Sequence, residues 1–561
     1  MANRNKKRNR DHSRNKNQDF LLQGGVLASA AILGRIIGLI YRIPLTSIIG
    51  DLGNNYYGCA FDIYNIFLLI SSYSLPMAVS RLVSDYRTKG ESVNALRVLR
   101  CAFLFAMFAG AAACAVIFFG ARYITGTIFQ TPLSLYALRV LAPTLLITAF
   151  LGVLRGLFQG MENMYPSAVS QVLEQLVNAF VSVLAAYFLA SRGEGIGRVL
   201  ANEEGYRAAY GAAGASLGTT VGAAFSLLFL YVLYKGFIRI LRKRIRKEHA
   251  RRVPNEILFR RMMLTVLPFL AASVLFNINI VIEQGIFKHM MKPQADAAQI
   301  ALWWGVFSGK FRTMINLPIA IAAAIGAACI PSITASFVKE KQEDVSEKTE
   351  LAIRFSMLIA FPASFVLMLL SAPLMEFLFQ DTQPLASGLL LAGGMIVIFY
   401  SLSTVTASIL QGIGKLRAPV INSGISLVLQ VVSLILMLKF TKLNIYAVVA
   451  SMAVFGICVT VLNQAALYRS GYWAPEFMKT FVLPGVCASI MASMSWIIET
   501  SLSQVVEWKY VTVPVSLICG LIVYMILLLT LRALTPEEMK QFPGGRRMVK
   551  VMGWFLRGYE F

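Results

Sequence analysis

The sequence predicts an all-α, polytopic membrane protein. About fourteen apolar stretches run from residue 20 to about residue 534, each close to the roughly 20 helical residues that cross a bilayer core. Of the 561 residues, 57% are hydrophobic and only 14% are charged. The connections between the stretches are too short to hold a soluble domain. The predicted spans are 20–42, 58–84, 100–120, 133–159, 166–190, 209–234, 262–287, 301–337, 351–379, 385–413, 419–439, 444–468, 480–498 and 510–532.

The formal net charge of +24 is concentrated on one side of these spans. Counting the apolar stretches in order places every basic cluster on the same side, and only scattered charges on the other. This positive-inside pattern predicts a multi-pass protein of the cell membrane with both termini in the cytoplasm. We therefore expect the basic residues to contact membrane lipids and not nucleic acid. The basic clusters lie within 4–16, 81–100, 235–261, 339–354 and 532–557.

Two short internal matches predict a duplicated bundle of six helices. They occur in the same order, and the copies lie about 250 residues apart. Because six is an even number, the two copies have the same orientation, with a site between them near the membrane midplane. The matches are Gln159-Gly160 with Gln411-Gly412, each followed by a helix-opening proline, and Leu75-Pro76 with Leu317-Pro318.

The matches define a domain organisation. The predicted segments are a basic cytoplasmic tail (1–19), a first six-helix lobe (20–234), a basic cytoplasmic linker (235–261), a second six-helix lobe (262–468), two extra transmembrane helices (480–532) and a cytoplasmic tail (533–561).

Charged residues inside the spans mark candidate sites, because a charge at the centre of a membrane helix costs roughly 2.5–3.5 kcal/mol. Arg35 lies in the middle of the first span beside Gly34 and Gly38, small residues that allow close helix packing. Its guanidinium either lines a central cavity, or reaches an interface or a nearby acid. We favour the cavity.

One face of the fifth span is polar throughout. Ser167, Gln171, Glu174, Asn178 and Ser182 recur at helical spacing. Such a face cannot contact lipid and must line protein or water. Gln171 is therefore a candidate for substrate binding. Glu174 either holds a coupling ion, H+ or Na+, or neutralises an arginine.

The eighth span adds a second arginine. Arg312 shares a helical face with Ser308 and Asn316, whereas Lys310 points elsewhere. The planar fork of arginine binds two phosphate oxygens at once. We expect Arg35 and Arg312, one from each lobe, to converge on one anionic group, with Asn316 as a further substrate-binding residue.

Two more acids complete the candidate set. Asp62 in the second span is a substrate-site candidate near the outer interface. Glu283 shares a face of the seventh span with Asn279 and is a second coupling-ion candidate. The alternative is that Asp62, Glu174 and Glu283 hold both arginines in structural pairs.

The sequence lacks the motifs that are typical of several function classes. Only three histidines occur, none of them deep in a span, and there is no GxxxxGK[ST] loop for ATP. No outer loop gathers the acids or histidines that a membrane transferase needs. We therefore expect no enzymatic activity, cofactor or metal. The seven cysteines show no CxxC spacing and are expected to be small packing residues.

Two motifs resemble those of a known transporter group. Residues 74–84 (SLPMAVSRLVS) are similar to the second-helix signature of polysaccharide-biosynthesis and stage V sporulation protein B-like transporters, and 170–177 (SQVLEQLV) to their fifth-helix motif. Gln159-Gly160 before Pro166 fits the same pattern. This group belongs to the multidrug/oligosaccharidyl-lipid/polysaccharide exporter superfamily, which includes the lipid II flippases. The resemblance covers essentially the whole chain.

The resemblance implies a carrier that flips undecaprenyl-diphosphate-linked sugars through an arginine-bearing cavity between two lobes. Arg35 aligns with a first-helix cavity arginine of the lipid II flippases, and Arg312 with their eighth-helix arginine to within about one residue. Arg42 is one position out of register with a further arginine. The second-helix arginine of many flippases is absent, and Asp62 occupies that span. This departure from the family pattern bears on the prediction of the substrate more than on the prediction of the transport class.

Three functions remain open. The first is a monomeric flippase for a lipid-linked oligosaccharide precursor in growth or sporulation, working by alternating access. The second is a cation-coupled exporter of small amphipathic compounds, for which Glu174 matters more than the arginines. The third is a scaffold for envelope synthesis that transports nothing.

Overall fold

A computed structural model of the chain describes residues 2–73, 75–245, 252–338, 340–415, 417–472, 476–506 and 508–531. These residues form eighteen α-helices and no β-strand, which confirms the predicted all-α class. Part of the predicted linker, 246–251, and the predicted tail 533–561 lie outside them. The helices are α1 (Ala2–Leu68), α2 (Leu75–Thr88), α3 (Ser92–Tyr123), α4 (Leu135–Gly160), α5 (Tyr165–Val199), α6 (Glu203–Ile245), α7 (Asn255–Asn277), α8 (Asn279–Met291), α9 (Ala297–Val306), α10 (Arg312–Val338), α11 (Gln342–Leu369), α12 (Ser371–Phe379), α13 (Pro384–Gly393), α14 (Ile396–Gly412), α15 (Arg417–Phe440), α16 (Ile445–Tyr468), α17 (Leu483–Ser503) and α18 (Lys509–Thr530).

Ten helical stretches of the described residues are long and apolar enough to cross a membrane, or eleven if the bent pair α13–α14 counts as one span. About fourteen are predicted from the sequence, and broken or merged helices account for the difference. The first stretch, Ser29–Thr88, is 60 residues long and contains the second predicted span and most of the first. The predicted spans 262–287 and 301–337 are helical but interrupted, the second by a π-helical turn at Phe307–Phe311.

The bend in α1 has a local cause at Gly50. This residue has φ 67° and ψ −177°, a conformation that only glycine adopts without strain. The bend separates the part of the helix that carries Arg35 from the part that carries Asp62. A π-helical turn, Leu69–Tyr73, then precedes α2, where Pro76 lacks the N–H that would bond the carbonyl of Ser72.

The chain divides into two compact units. The first consists of Met1–Ala320 and Val420–Phe455, and the second of Ile321–Pro419 and Gly456–Phe561. All the site residues discussed below belong to the first unit.

Close glycine contacts hold α4 against α2 in the first unit. A Cβ added to Gly156 would lie 2.7 Å from the carbonyl oxygen of Pro76, and one added to Gly160 would lie 2.7 Å from that of Ser80. Such small residues let membrane helices approach at backbone distance. Gly214, on α6, packs in the same way on the backbone of α5.

In the second unit, α17 and α18 pack on α11. Leu358 of α11 lies in a buried apolar cluster with Cys487, Met491 and Leu528. The hydroxyl of Tyr524 donates a hydrogen bond to the carbonyl oxygen of Leu358 at 2.9 Å. The two helices predicted as a C-terminal addition are therefore an integral part of this unit.

Candidate functional site

The centre of the candidate site is an ion pair between α10 and α1. Arg312 donates from Nη1 to Oδ2 of Asp62 at 2.8 Å and from Nη2 to Oδ1 at 3.2 Å. Asp62 is 5% exposed, and the Arg312 side chain is 16% exposed. Arg312 is the first residue of α10, directly after the π-helical turn. Such two-point contact is the strong, directional form of an ion pair.

A cavity of about 250 Å³ opens beside this pair. Three of its lining residues are polar, Asp62, Asn65 and Asn277, and the rest are aliphatic. Arg312 therefore binds a residue that borders this cavity. The aliphatic lining residues are Ile66, Leu68, Leu69 and Ile280.

Glu283 is a second buried acid close to the pair. It lies on α8, is 3% exposed, and accepts a hydrogen bond from Nε2 of Gln430 on α15. The charges of Arg312 and Asp62 both act on it. Glu283, a predicted coupling-ion residue, thus lies near Arg312. The Arg312–Asp62 contact itself matches the alternative in which an acid holds an arginine in a structural pair.

Arg35 contacts α10 at a different level. Its Nη1 donates to the carbonyl oxygen of Ala320 at 2.7 Å, and its side chain is exposed. Ala320 lies eight residues after Arg312, a rise of about 12 Å along a helix. The structure therefore brings both arginines to α10, each with its own protein partner. That they converge on one anion stays a prediction.

The other two predicted substrate-binding residues lie on helices of the same unit. Asn316 is exposed, one helical turn after Arg312 on α10. Gln171 is partly buried on α5. The helix that carries it lies close to α1, since a Cβ on Gly34 would be 3.1 Å from Cγ of Gln175.

Glu174 forms an ion pair that the sequence patterns did not reveal. Nη2 of Arg155 on α4 lies 2.6 Å from Oε2 of Glu174, and Nε of Arg155 donates to Oγ of Ser170 at 3.0 Å. Both side chains are largely buried, at 15% and 20% exposure. This geometry matches the alternative in which Glu174 neutralises an arginine. The one sequence feature that pointed to this ion pair is Arg155 itself, a cation inside a predicted span.

Two buried lysines near the bend of α1 were also missed. Nζ of Lys310 lies 2.7 Å from Oδ1 of Asp51, and Nζ of Lys288 donates to Oδ1 of Asn55 at 2.9 Å. Both lysines are less than a tenth exposed. Lys288 also lies 5.8 Å from the ring centroid of Trp304. These contacts attach the 51–55 segment of α1 to α8 and to the π-helical turn Phe307–Phe311.

Arg42, which is out of register in the family resemblance, also reaches this region. Its Nη1 donates to Oγ1 of Thr313 at 3.3 Å, and its guanidinium carbon lies 5.0 Å from the ring centroid of Tyr57. Arg42 thus contacts the residue that directly follows Arg312. Within the described ranges, no group of three or more His, Cys, Asp or Glu side chains is placed to hold a metal ion.

The fold is that of the transporters of the MOP superfamily. A solved structure described as "Inward-facing conformation of a multidrug resistance MATE family transporter of the MOP superfamily" superposes with a TM-score of 0.63 at 16% identity, covering 80% of this chain and 98% of that one. A second, "Lipid II flippase MurJ, inward closed conformation", gives a TM-score of 0.64 at 14% identity over 90% of this chain and 98% of that one.

The chain belongs to the family described as "Polysaccharide biosynthesis protein", whose profile matches residues 21–337. The MatE profile matches residues 311–436. "Stage V sporulation protein B" of Bacillus subtilis (strain 168) is 24% identical over 535 residues, 94% of this chain and 98% of that protein. "Lipid II flippase MurJ" of the same strain is 25% identical over 517 residues, 87% and 90% of the two chains. The family resemblance predicted from the sequence is confirmed.

Proposed function

We propose that this protein is a membrane flippase that moves an undecaprenyl-diphosphate-linked cell-wall or polysaccharide precursor from the inner to the outer leaflet. The observation that supports it most directly is the Arg312 guanidinium, bound at two points to Asp62, a residue that lines a cavity together with Asn65 and Asn277. Relatives named as a lipid II flippase and a sporulation protein align over most of the chain. The protein is a transporter and not an enzyme.

In this proposal Asp62 holds the place of the substrate. The two carboxylate oxygens occupy the two donor directions of Arg312 that two oxygens of a diphosphate would take. The incoming diphosphate displaces Asp62, so Arg312 is never left without a counter-charge. Arg35 exchanges its contact with the carbonyl of Ala320 for the same anion, and Asn316 and Gln171 bind sugar hydroxyls.

Transport follows by alternating access of the predicted lobes, 20–234 and 262–468, with both termini in the cytoplasm and the protein acting as a monomer. The polyprenyl tail remains in lipid while the headgroup crosses. The membrane potential assists, since moving one negative charge out of a negative interior gains about 2.3 kcal/mol per 100 mV.

Glu283 is the better placed of the two coupling-ion candidates, H+ or Na+. Its hydrogen-bond partner, Gln430, is neutral, whereas Glu174 already faces the full charge of Arg155. Glu283 is also electrostatically linked to Arg312. We expect Glu283→Gln to remove the dependence of transport on the cation gradient. A gradient dependence equal to that of the wild type excludes Glu283 from coupling.

Depletion of the protein in its host tests the function. We expect one lipid-linked intermediate to accumulate in the inner leaflet, and expression of Arg312→Ala to leave it there. Arg192→Ala, at an exposed arginine on α5, is the matched control and should restore the wild-type level. An unchanged pool of lipid-linked intermediates contradicts the proposal.

A second candidate is a cation-coupled exporter of small amphipathic compounds. The MatE match over residues 311–436 favours it. It predicts that expression confers resistance to such compounds. It also predicts that Glu174→Gln abolishes this resistance while Arg35→Ala and Arg312→Ala retain it.

A further inference from the structure

A second cavity lies in the first unit, away from the candidate site. It is an apolar groove of about 440 Å³ formed by α3, α4 and α6. This volume falls within the roughly 300–1,000 Å³ of small-molecule sites. Its lining is aliphatic and aromatic throughout, and consists of Phe103, Ile147, Phe150, Leu154, Ala224, Leu227, Leu228 and Tyr231.

The groove opens on the lipid-facing surface. Its three helices lie in the candidate membrane spans Ser92–Ile128, Pro132–Gly160 and Glu203–Arg239. Leu228 and Tyr231 at its rim are 57% and 44% exposed. At this depth an exposed apolar groove contacts acyl chains and not water. An acyl chain is therefore the ligand that matches the lining.

One end of the groove carries positive charge. Lys235 lies one helical turn after Tyr231, with its Nζ 4.9 Å from the ring centroid, and Arg239 follows one turn later. Phe103 on α3 is 6.3 Å from Tyr234 on α6, centroid to centroid, so this part of α3 lies at the same level.

Arg100, one turn before Phe103, extends the basic end of the groove. All three basic residues, Arg100, Lys235 and Arg239, are exposed. The groove thus joins an apolar channel to a cationic rim at one membrane surface, which is the charge pattern complementary to an anionic lipid.

We infer that this groove binds one anionic phospholipid, with an acyl chain between α3, α4 and α6 and the phosphate at Lys235 and Arg239. The site is separate from the Arg312–Asp62 pair. It does not depend on which substrate the protein transports, and it binds a resident membrane lipid.

Photocrosslinking in vesicles tests the site. The full-length protein is reconstituted with trace phosphatidylglycerol that carries a diazirine on its acyl chain, and labelled peptides are mapped by mass spectrometry. We expect label concentrated on the peptides of the groove. Label spread evenly over these peptides and the lipid-facing surface of α15, around Leu436, contradicts the inference.

Two variants separate the parts of the site. Ala224→Trp fills the groove from an exposed position and should abolish groove labelling. Leu436→Trp, at a position 49% exposed on α15, is the matched control and should leave it unchanged. Lys235→Ala with Arg239→Ala should reduce labelling by a factor of about five for each residue removed.

A phosphatidylcholine probe with the same acyl diazirine tests the headgroup. We expect weak groove labelling that does not respond to the Lys235→Ala and Arg239→Ala changes. Equal labelling by the two probes, or groove labelling that persists in Ala224→Trp, overturns the inference. Unchanged labelling of α15 peptides in every variant shows that each protein is folded and embedded.

Discussion

Arg312 and Asp62 meet through two parallel hydrogen bonds, at 2.8 Å and 3.2 Å, between the start of α10 and the second half of α1. The two residues are 250 positions apart in the sequence. The contact pairs the guanidinium with Asp62, a residue that borders a cavity, and balances its charge in this structure. The behaviour of this pair distinguishes the proposed flippase from its alternatives.

The first prediction concerns the shape of the cation. Arg312→Lys keeps the positive charge but loses the two-point fork. Since a hydrogen bond to a charged group contributes about 1.5–3 kcal/mol, we expect flipping to fall by about 10–100-fold. The measurement is the initial rate of headgroup exposure in reconstituted vesicles. Arg192→Lys, the exposed control, should retain the wild-type rate.

The second prediction concerns Arg155 and Glu174. Glu174→Gln leaves the largely buried Arg155 without its counter-charge. We expect a loss of roughly 2 kcal/mol, below the 3–5 kcal/mol of a fully buried pair, because both side chains keep some solvent exposure. Thermal unfolding is measured for Glu174→Gln, for Arg155→Met and for the double variant. The difference between the loss in the double variant and the sum of the two single losses gives the interaction free energy of the pair. Strictly additive losses would show that the pair has no structural role.

The third prediction concerns movement at the bend of α1. A Cβ on Gly58 would lie 3.0 Å from Cβ of Ser308, so the two Cβ atoms need to move about 0.5 Å apart to reach the roughly 3.5–4.5 Å of a disulfide. In a background without the seven native cysteines, Gly58→Cys with Ser308→Cys should crosslink on oxidation. If α1 and the π-helical turn Phe307–Phe311 separate during transport, oxidation of the double cysteine variant stops flipping and reduction restores it.

Each single cysteine variant, treated with the same oxidant, is the control for this experiment and should retain its rate. Full flipping in the oxidised double variant would argue against alternating access. It would favour the scaffold, for which such a crosslink has no consequence.

The fourth prediction concerns the close contact of α4 with α2. Gly156→Ala places a methyl group 2.7 Å from the carbonyl oxygen of Pro76 and should destabilise the fold by about 1–3 kcal/mol. Gly424→Ala in α15, where nothing lies within 4 Å, should be neutral or stabilise by up to about 1 kcal/mol. Thermal unfolding in detergent compares the two. Equal stability would mean that the helices separate at little cost.

The sequence predicts the all-α membrane fold because twenty-residue apolar stretches leave few other structures. It also predicts polar positions at depth, such as Arg312 and Glu283, because their cost there demands a reason. Which of those charged residues pair with each other is harder to predict from the sequence. Asp62 lies after the bend of α1 at Gly50 and Arg312 directly follows a π-helical turn, and neither irregularity has a distinctive local pattern in the sequence.

The same limit explains the missed lysines and Arg155. Ordinary helical spacing places Lys310 on a face away from Arg312. Lys310 lies in the π-helical turn Phe307–Phe311 and contacts Asp51, a partner that helical spacing within its own segment does not identify. Arg155 lies close to the end of a predicted span. A cation at such a position is usually solvated, so the sequence alone does not mark it as a site residue. Its importance follows from the position of Glu174 on a neighbouring helix.

The most direct test is the translocation of an undecaprenyl-diphosphate-linked sugar in vesicles that contain only this protein. The wild type should move the headgroup across the bilayer, whereas Arg312→Ala and Arg35→Ala should each lose most of that rate while remaining folded. Undiminished translocation in both arginine variants would contradict the proposed anion site.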